Sequence, residues 1–165
     1  MPPPFLKGYS GQTTDELLAL EDNYRVDSIV LAFEEALLQK PAAALSREET
    51  WVLAVAALER EVNNGGYLQF FTNPSNEYAA QIEEALRAID CPVTAQTTHD
   101  ALLALDLVGD ITPTSVEASA LEADEAVSEI LEECDNRYFD DGEHIGERLF
   151  EWIRKNRKAI RVGGT

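Results

Sequence analysis

Apolar positions along the chain recur at intervals of three and four, and no stretch alternates with period two over several residues. Val26, Ile29, Val30, Phe33 and Leu37 set that spacing most clearly, with Pro41 as the stop. Trp51, Val55, Leu58 and Val62 repeat it in a helix that Ser46 and Glu49 open as a capping box, each side chain reaching the other's unpaired amide. A short run through Leu17, Leu18 and Leu20 follows Thr14-Asp-Glu16. Ala79, Ile82, Leu86 and Ile89 follow a cap at Asn73-Pro74-Ser75 and end at Asp90-Cys-Pro92. His99 to Val108 predicts a leucine-rich helix terminated by Gly109. From Thr112-Pro113 a long helix carries Val116, Ala120, Ala123, Val127, Ile130 and Cys134 on one side until Asp140-Asp-Gly142. Ile145, Leu149, Trp152 and Ile153 mark the last helix before a Gly-Gly-Thr end. The pattern predicts an all-α protein, a single bundle of six or seven helices over residues 13–165. Residues 1–12, with three prolines and two glycines, read as a mobile arm.

The least ordinary stretch is Glu59-Arg-Glu-Val-Asn-Asn-Gly-Gly-Tyr-Leu-Gln-Phe-Phe-Thr-Asn73. Asn64, Gly65 and Gly66 form a stop signal, because glycine and asparagine reach left-handed backbone angles that other residues avoid. Tyr67, Leu68, Phe70 and Phe71 then supply the bulk of a buried peg. Nothing in the stretch is a nucleophile, an acid–base pair or a metal cage.

A 165-residue chain is long enough to bury a core, and 45% apolar residues argue against disorder despite a net charge of −18. Such a surface repels nucleic acid and anionic membranes, and attracts basic partners in a salt-dependent way. No secretory leader and no membrane-length apolar run stands out, and Cys91 and Cys134 form neither a zinc nor a redox motif. These features fit two buried thiols and a cytoplasmic protein.

The charge is uneven. Residues 110–147 hold thirteen acids, Asp110, Asp135, Glu143 and Glu147 among them, against Arg137. If Glu117 to Asp135 is one helix, its acids recur about every 3.4 Å of axis, close to the phosphate spacing of one DNA strand. They do not all share one face, and a solvated outer face is the better reading of the run taken alone. Asp141 and His144 stand at i and i+3, but the second such motif that a di-iron bundle needs is missing, since Gln96 precedes His99. A calcium loop fails because Arg137 falls at its first position. No cofactor is expected. The basic residues near the end, Arg148, Arg154, Lys155, Arg157, Lys158 and Arg161, suit a helix C-terminus or the acidic helix of a second copy.

Trp51, Leu58-Glu59, Glu61-Val-Asn-Asn-Gly-Gly-Tyr67, Gln69-Phe-Phe71 and Asn73, with the Ala/Leu-rich helix to Ile89, resemble the signature of the bacterial DNA-mimic protein family, whose C-terminal domain is otherwise one of unknown function. The resemblance covers about residues 46–150. It implies an all-helical, cytoplasmic, dimeric protein whose acidic surface imitates duplex DNA on the DNA-binding face of a transcription repressor. Within the motif, Trp51, Glu59, Asn63, Asn64, Gly65, Gly66, Tyr67, Gln69, Phe70, Phe71 and Asn73 read as structural. The candidate partner-binding acids come from the charge run: Glu117, Glu122, Asp124, Glu125, Glu129, Glu132, Glu133, Asp140 and Asp141.

The leading expectation is a non-enzymatic homodimer that engages a basic protein such as a transcription regulator or nucleoid protein, and neither nucleic acid nor membrane. A small-ligand module or enzyme using Asn63, Gln69 and Asn73 at the turn is the first alternative. An immunity or accessory protein whose charge serves solubility is the second.

Overall fold

The computed structural model describes residues 1–107 and 111–164. Among these are eight α-helices and no strand: α1 (Thr14–Leu18), α2 (Val26–Leu38), α3 (Arg47–Thr72), α4 (Ile82–Ala88), α5 (Pro92–Ala104), α6 (Pro113–Leu121), α7 (Glu125–Asp140) and α8 (Ile145–Lys155). Short 3-10 turns occupy Ala42–Ala44 and Pro74–Tyr78. The protein is all-α. Contacts group the chain into two compact units, Met1–Ala56 with His144–Thr165, and Ala57–Glu143.

In the first unit α2 packs on α1 and α8, burying Leu17, Ile29, Phe33, Leu37, Leu149 and Ile153. The Ser46–Glu49 capping box forms in both directions, at 3.0 and 3.1 Å. Residues 1–9 hold no helix or strand, yet Leu6 is buried and its amide donates to Ser28 Oγ at 3.0 Å. Past α8 the chain runs as a strap whose backbone is bonded by side chains. Thr14 Oγ1 donates to the Ile160 carbonyl, Ser46 Oγ to that of Ala159, and the Arg161 amide to Glu49 Oε1. A Cβ on Gly163 would lie 2.6 Å from the Gln12 carbonyl carbon, so only glycine lets the strap approach that closely.

In the second unit α4 packs on α5, α5 on α7, and α6 on the turn Pro74–Tyr78. Here three expectations change. Helix α5 starts at Pro92, seven residues before His99. Proline is tolerated in a first turn, and Glu143 accepts from the next two amides, Val93 and Thr94, at 2.8 Å each. The expected end at Val108 and Gly109 lies outside the described residues, as do Asp110 and Thr165. The long acidic helix is two helices, parted between Leu121 and Glu125, and Asp124 Oδ1 caps α7 by accepting from the Val127 amide at 2.9 Å. That break resets the helical phase, so α7 buries Leu131, Cys134 and Tyr138 and leaves Ile130 46% exposed. Finally, the Asn73 side chain makes no capping bond to the turn that follows it, and its Nδ2 donates to Glu61 instead.

Candidate functional site

Helix α3 breaks at Gly65 (φ −159°, ψ 17°) and Gly66 (φ 78°, ψ −176°), then resumes to Thr72. Gly66 occupies a region that is essentially glycine-only. A break leaves the amides that follow without helical acceptors, and Asp135 from α7 supplies one: its Oδ1 accepts from the Tyr67 amide at 2.7 Å. The carboxylate lies so close to Gly66 that a Cβ there would be 2.7 Å from Asp135 Cγ. Tyr67, Phe70 and Phe71 are fully buried as expected, whereas Leu68 is 38% exposed. Tyr67 meets Phe71 at 6.0 Å and, edge-on, Tyr138 at 6.0 Å. Its hydroxyl lies 2.7 Å from Thr98 Oγ1, which itself donates to the Thr94 carbonyl, so Tyr67 is the donor of that pair. Burial pushes the Tyr67 phenol well above its usual range.

A second link joins α7 to α3: the Tyr138 hydroxyl donates to Glu59 Oε1. Burial raises the Glu59 carboxyl above its usual value, the Tyr138 bond opposes that rise, and Asp141 adds to it. Asp135 is likewise raised by burial, against the pull of the Tyr67 amide and with repulsion from Glu132 added. Both carboxyls therefore sit in a poorly solvated setting, Asp135 at the α3 break and Glu59 against Tyr138. Cys134 is buried, with its thiol pushed up by burial, and so is a packing residue of low nucleophilicity.

The three amides proposed for a ligand pocket are engaged by the protein itself. Asn63 Nδ2 donates to the Glu59 carbonyl at 2.6 Å, one turn back along its own helix. Gln69 Nε2 and Asn73 Nδ2 both donate to Glu61 Oε2, at 2.7 and 2.9 Å. This arrangement ties the resumed helix and the following turn to α3 ahead of the break. Asn64 is exposed, and Trp51 lies in the other unit with its ring 6.0 Å from that of Trp152. His99 Nδ1 is 2.9 Å from Glu83, and His144 is exposed at the start of α8. Among the described residues no group of three His, Cys, Asp or Glu could hold a metal ion, and no helix is long and apolar enough to cross a membrane.

The candidate acids divide by role. Glu125, Glu129, Glu132, Glu133 and Asp140 are all exposed. At 3.6 residues per turn they fall within about 100° of arc, opposite Leu131, Cys134 and Tyr138. These five share one face, but the acids from Glu117 to Asp135 do not, as expected: Asp135 turns to the Tyr67 amide, and Glu117 and Glu122 belong to α6 and its C-cap. The spacing of the five is looser than a single-helix reading gave, five charges along about 22 Å of axis. Glu117 and Glu122 are exposed on α6 and at its end, and Asp124 caps α7. Asp141 is only half exposed, its oxygens bonded to the Glu143 amide at 3.0 Å and 2.6 Å from Thr94 Oγ1. Arg137 turns from the acidic face to pair with Asp100 at 2.8 Å.

Several supporting residues were not singled out from sequence. Asp135, Glu143, Glu61 and Thr98 bond across 8 to 68 positions, and local spacing does not register such pairs. Tyr138 was detectable: once Asp124 is read as a cap, it falls seven residues after Leu131 on the same face.

A family model described as DMP19-like protein matches residues 43–156. No curated protein matches the chain.

Proposed function

Since the chain belongs to the DMP19-like protein family, we propose that it is a non-enzymatic binding protein whose acidic α7 face occupies the nucleic-acid-binding face of a basic regulator or nucleoid protein. On this reading it works in the cytoplasm as a homodimer, and binds neither nucleic acid nor membrane directly. The observation that carries the reading is the segregation on α7. Five exposed carboxylates line one face, while the opposite face is fixed to the α3 break through Asp135 and Tyr138. Carboxylates held on a fixed helix meet the Lys and Arg that otherwise neutralise phosphates, and the binding weakens with salt for the same reason. The engaged amides of Asn63, Gln69 and Asn73 offer no comparable support for a ligand site at the turn.

The test is capture of DNA-binding proteins from native lysate at low and high salt, with duplex DNA as competitor. Replacing Glu125, Glu129 and Glu132 with Lys should abolish capture while the far-UV circular dichroism is unchanged. Capture that survives the triple reversal with its salt dependence intact refutes the assignment to α7.

A further inference from the structure

The net charge is divided unequally between the two compact units. Met1–Ala56 with His144–Thr165 holds ten Lys and Arg against eleven Asp and Glu, a balance of −1, whereas Ala57–Glu143 holds three against twenty, or −17. The first unit therefore sets almost no excess of like charge against an anion, and its cations cluster. Six of them lie between Arg148 and Arg161. Arg154 and Lys155 sit in the last turn of α8, where cations complement the helix dipole, and Arg154 also bonds Glu21. That account stops at the helix end. Arg157, Lys158 and Arg161 lie past it and, with Thr13, Asp15 and Gly163, line an open cleft of about 480 Å³ within the same unit.

Arg161 is already fixed in this cleft. Its amide donates to Glu49 Oε1 at 2.9 Å, its carbonyl accepts from Lys40 Nζ at 3.2 Å, and its Nε donates to the Lys158 carbonyl at 3.0 Å. Its two terminal nitrogens have no acceptor among the described residues, which leaves the paired N–H edge of the guanidinium for an oxyanion. A side chain held in this way loses less freedom on binding. Thr13 Oγ1 accepts from the Glu16 amide at 3.3 Å and so keeps its own proton to donate. Asp15 is the one acid in the lining. It lies 3.9 Å from Arg157 and both side chains are mostly exposed, so little holds that pair together.

We infer that this cleft binds the phosphate group of a small molecule. Charge selects the ligand. Three cations less Asp15 leave a surplus of two, which a terminal phosphate of about −1.5 to −2 matches at pH 7. A lone carboxylate or a nucleic-acid phosphodiester, each a monoanion, does not match it. A volume of 480 Å³ is within the range of about 300–1,000 Å³ for small-molecule sites, which leaves room beside the phosphate for the organic part of an ester. The inference goes beyond the reading of α7 and does not depend on it: an anion is bound in one unit and a basic protein by the other.

The experiment is isothermal titration calorimetry of the full chain at fixed ionic strength, with inorganic phosphate, adenosine monophosphate and malonate as probes. Both phosphate probes should bind saturably, and malonate, a dianion whose charges sit on two separate carboxylates, at least about threefold more weakly. Adenosine monophosphate binding more tightly than phosphate marks an ester as the ligand; equal affinity marks the phosphate itself, and both uphold the site. Replacing Arg157, Lys158 and Arg161 with Gln should weaken phosphate binding at least about tenfold. Arg161→Lys alone, which keeps the charge and loses the paired edge, should weaken it about three- to tenfold. Lys155→Gln removes a charge from the same end of the chain outside the cleft, and should change affinity by less than about twofold. Far-UV circular dichroism checks the fold of each variant. Lys158→Gln, whose side chain is bonded to no described residue, decides the matter if the triple variant fails to fold, with an expected loss of about two- to fivefold. Absence of saturable binding of either phosphate probe overturns the site. So does malonate binding as tightly as phosphate, binding unchanged in the triple variant or, where that variant does not fold, in Lys158→Gln, or Lys155→Gln costing as much as Arg161→Lys.

Discussion

Gly66→Ala tests the geometry at the centre of this fold. Alanine at φ 78°, ψ −176° adopts a backbone that side chains avoid, at a cost of about 1–3 kcal/mol. Its Cβ would also sit 2.7 Å from Asp135 Cγ and displace the carboxylate that accepts from the Tyr67 amide. Losing that charge-assisted bond costs about 1.5–3 kcal/mol more, for an expected total of about 2.5–6 kcal/mol. Gly65→Ala is the internal control. Gly65 at φ −159° is near extended, and a Cβ there meets the end of the flexible Gln69 side chain, Cδ at 2.8 Å. Gln69 can swing away, losing its bond to Glu61, so about 1 kcal/mol is expected. Urea unfolding followed by far-UV circular dichroism measures both. A double-mutant cycle then separates the two parts of the Gly66 penalty: on an Asp135→Ala background only the backbone part should remain, giving a coupling of about 1.5–3 kcal/mol. Equal Gly66→Ala penalties in the two backgrounds would show that Asp135 does not hold the break. A penalty no larger than that of Gly65→Ala would refute the backbone account as well.

Two further outcomes follow from the buried polar groups. The Glu59 carboxyl is raised above its usual 4.5 by burial, so the folded chain keeps its proton at pH values where the unfolded chain has lost it. Its contribution to stability is complete below 4.5 and is lost as pH rises through the raised value. Glu59→Gln, which keeps an acceptor for Tyr138, should therefore flatten that part of the pH–stability curve and leave the protein at least as stable at neutral pH. Urea titrations at stepped pH check this, and an unchanged slope contradicts it. Thr98→Val removes the acceptor of the buried Tyr67 hydroxyl, at an expected cost of about 1–3 kcal/mol. Adding Tyr67→Phe should recover much of that loss, because no orphan hydroxyl remains. Thermal denaturation of the two single variants and the double variant decides it, and a double variant less stable than Thr98→Val contradicts it.

What the sequence made legible is local. The periodicity of Val26 to Leu37 gave α2, and Ser46 with Glu49 gave the start of α3, because both signals act within one or two turns. The Asn-Asn-Gly-Gly break was legible for the same reason, but not which of Asn64, Gly65 and Gly66 takes the positive φ, which is Gly66. The stop at Asp90-Cys-Pro92 was legible, since α4 ends at Ala88, but that Pro92 also opens α5 was not, because the carboxylate that accepts from the next two amides, Glu143, is about fifty residues away. The phase of α7 was missed by carrying the α6 stripe through Glu122-Ala-Asp124, although Asp124 was a readable cap.

The two faces of α7 also explain why the unusual turn and the charge belong together. Glu125 and Glu129, and Glu129 and Glu133, are like charges one turn apart, each pair costing an isolated helix about 0.2–0.5 kcal/mol. Asp140 adds negative charge at the C-terminus, where the helix dipole disfavours it. Left to local forces, α7 would be a poor helix at neutral pH. Its inner face supplies what the outer face removes: Leu131 and Cys134 are buried, Asp135 caps the α3 break, and Tyr138 bonds Glu59. The Gly-Gly break is thus the anchor that lets a self-repelling row of carboxylates stay in register. Salt then acts in opposite directions on the two properties, relieving the repulsion within α7 while weakening capture of a basic partner. Binding that falls with salt while the unfolding midpoint rises separates loss of attraction from loss of fold.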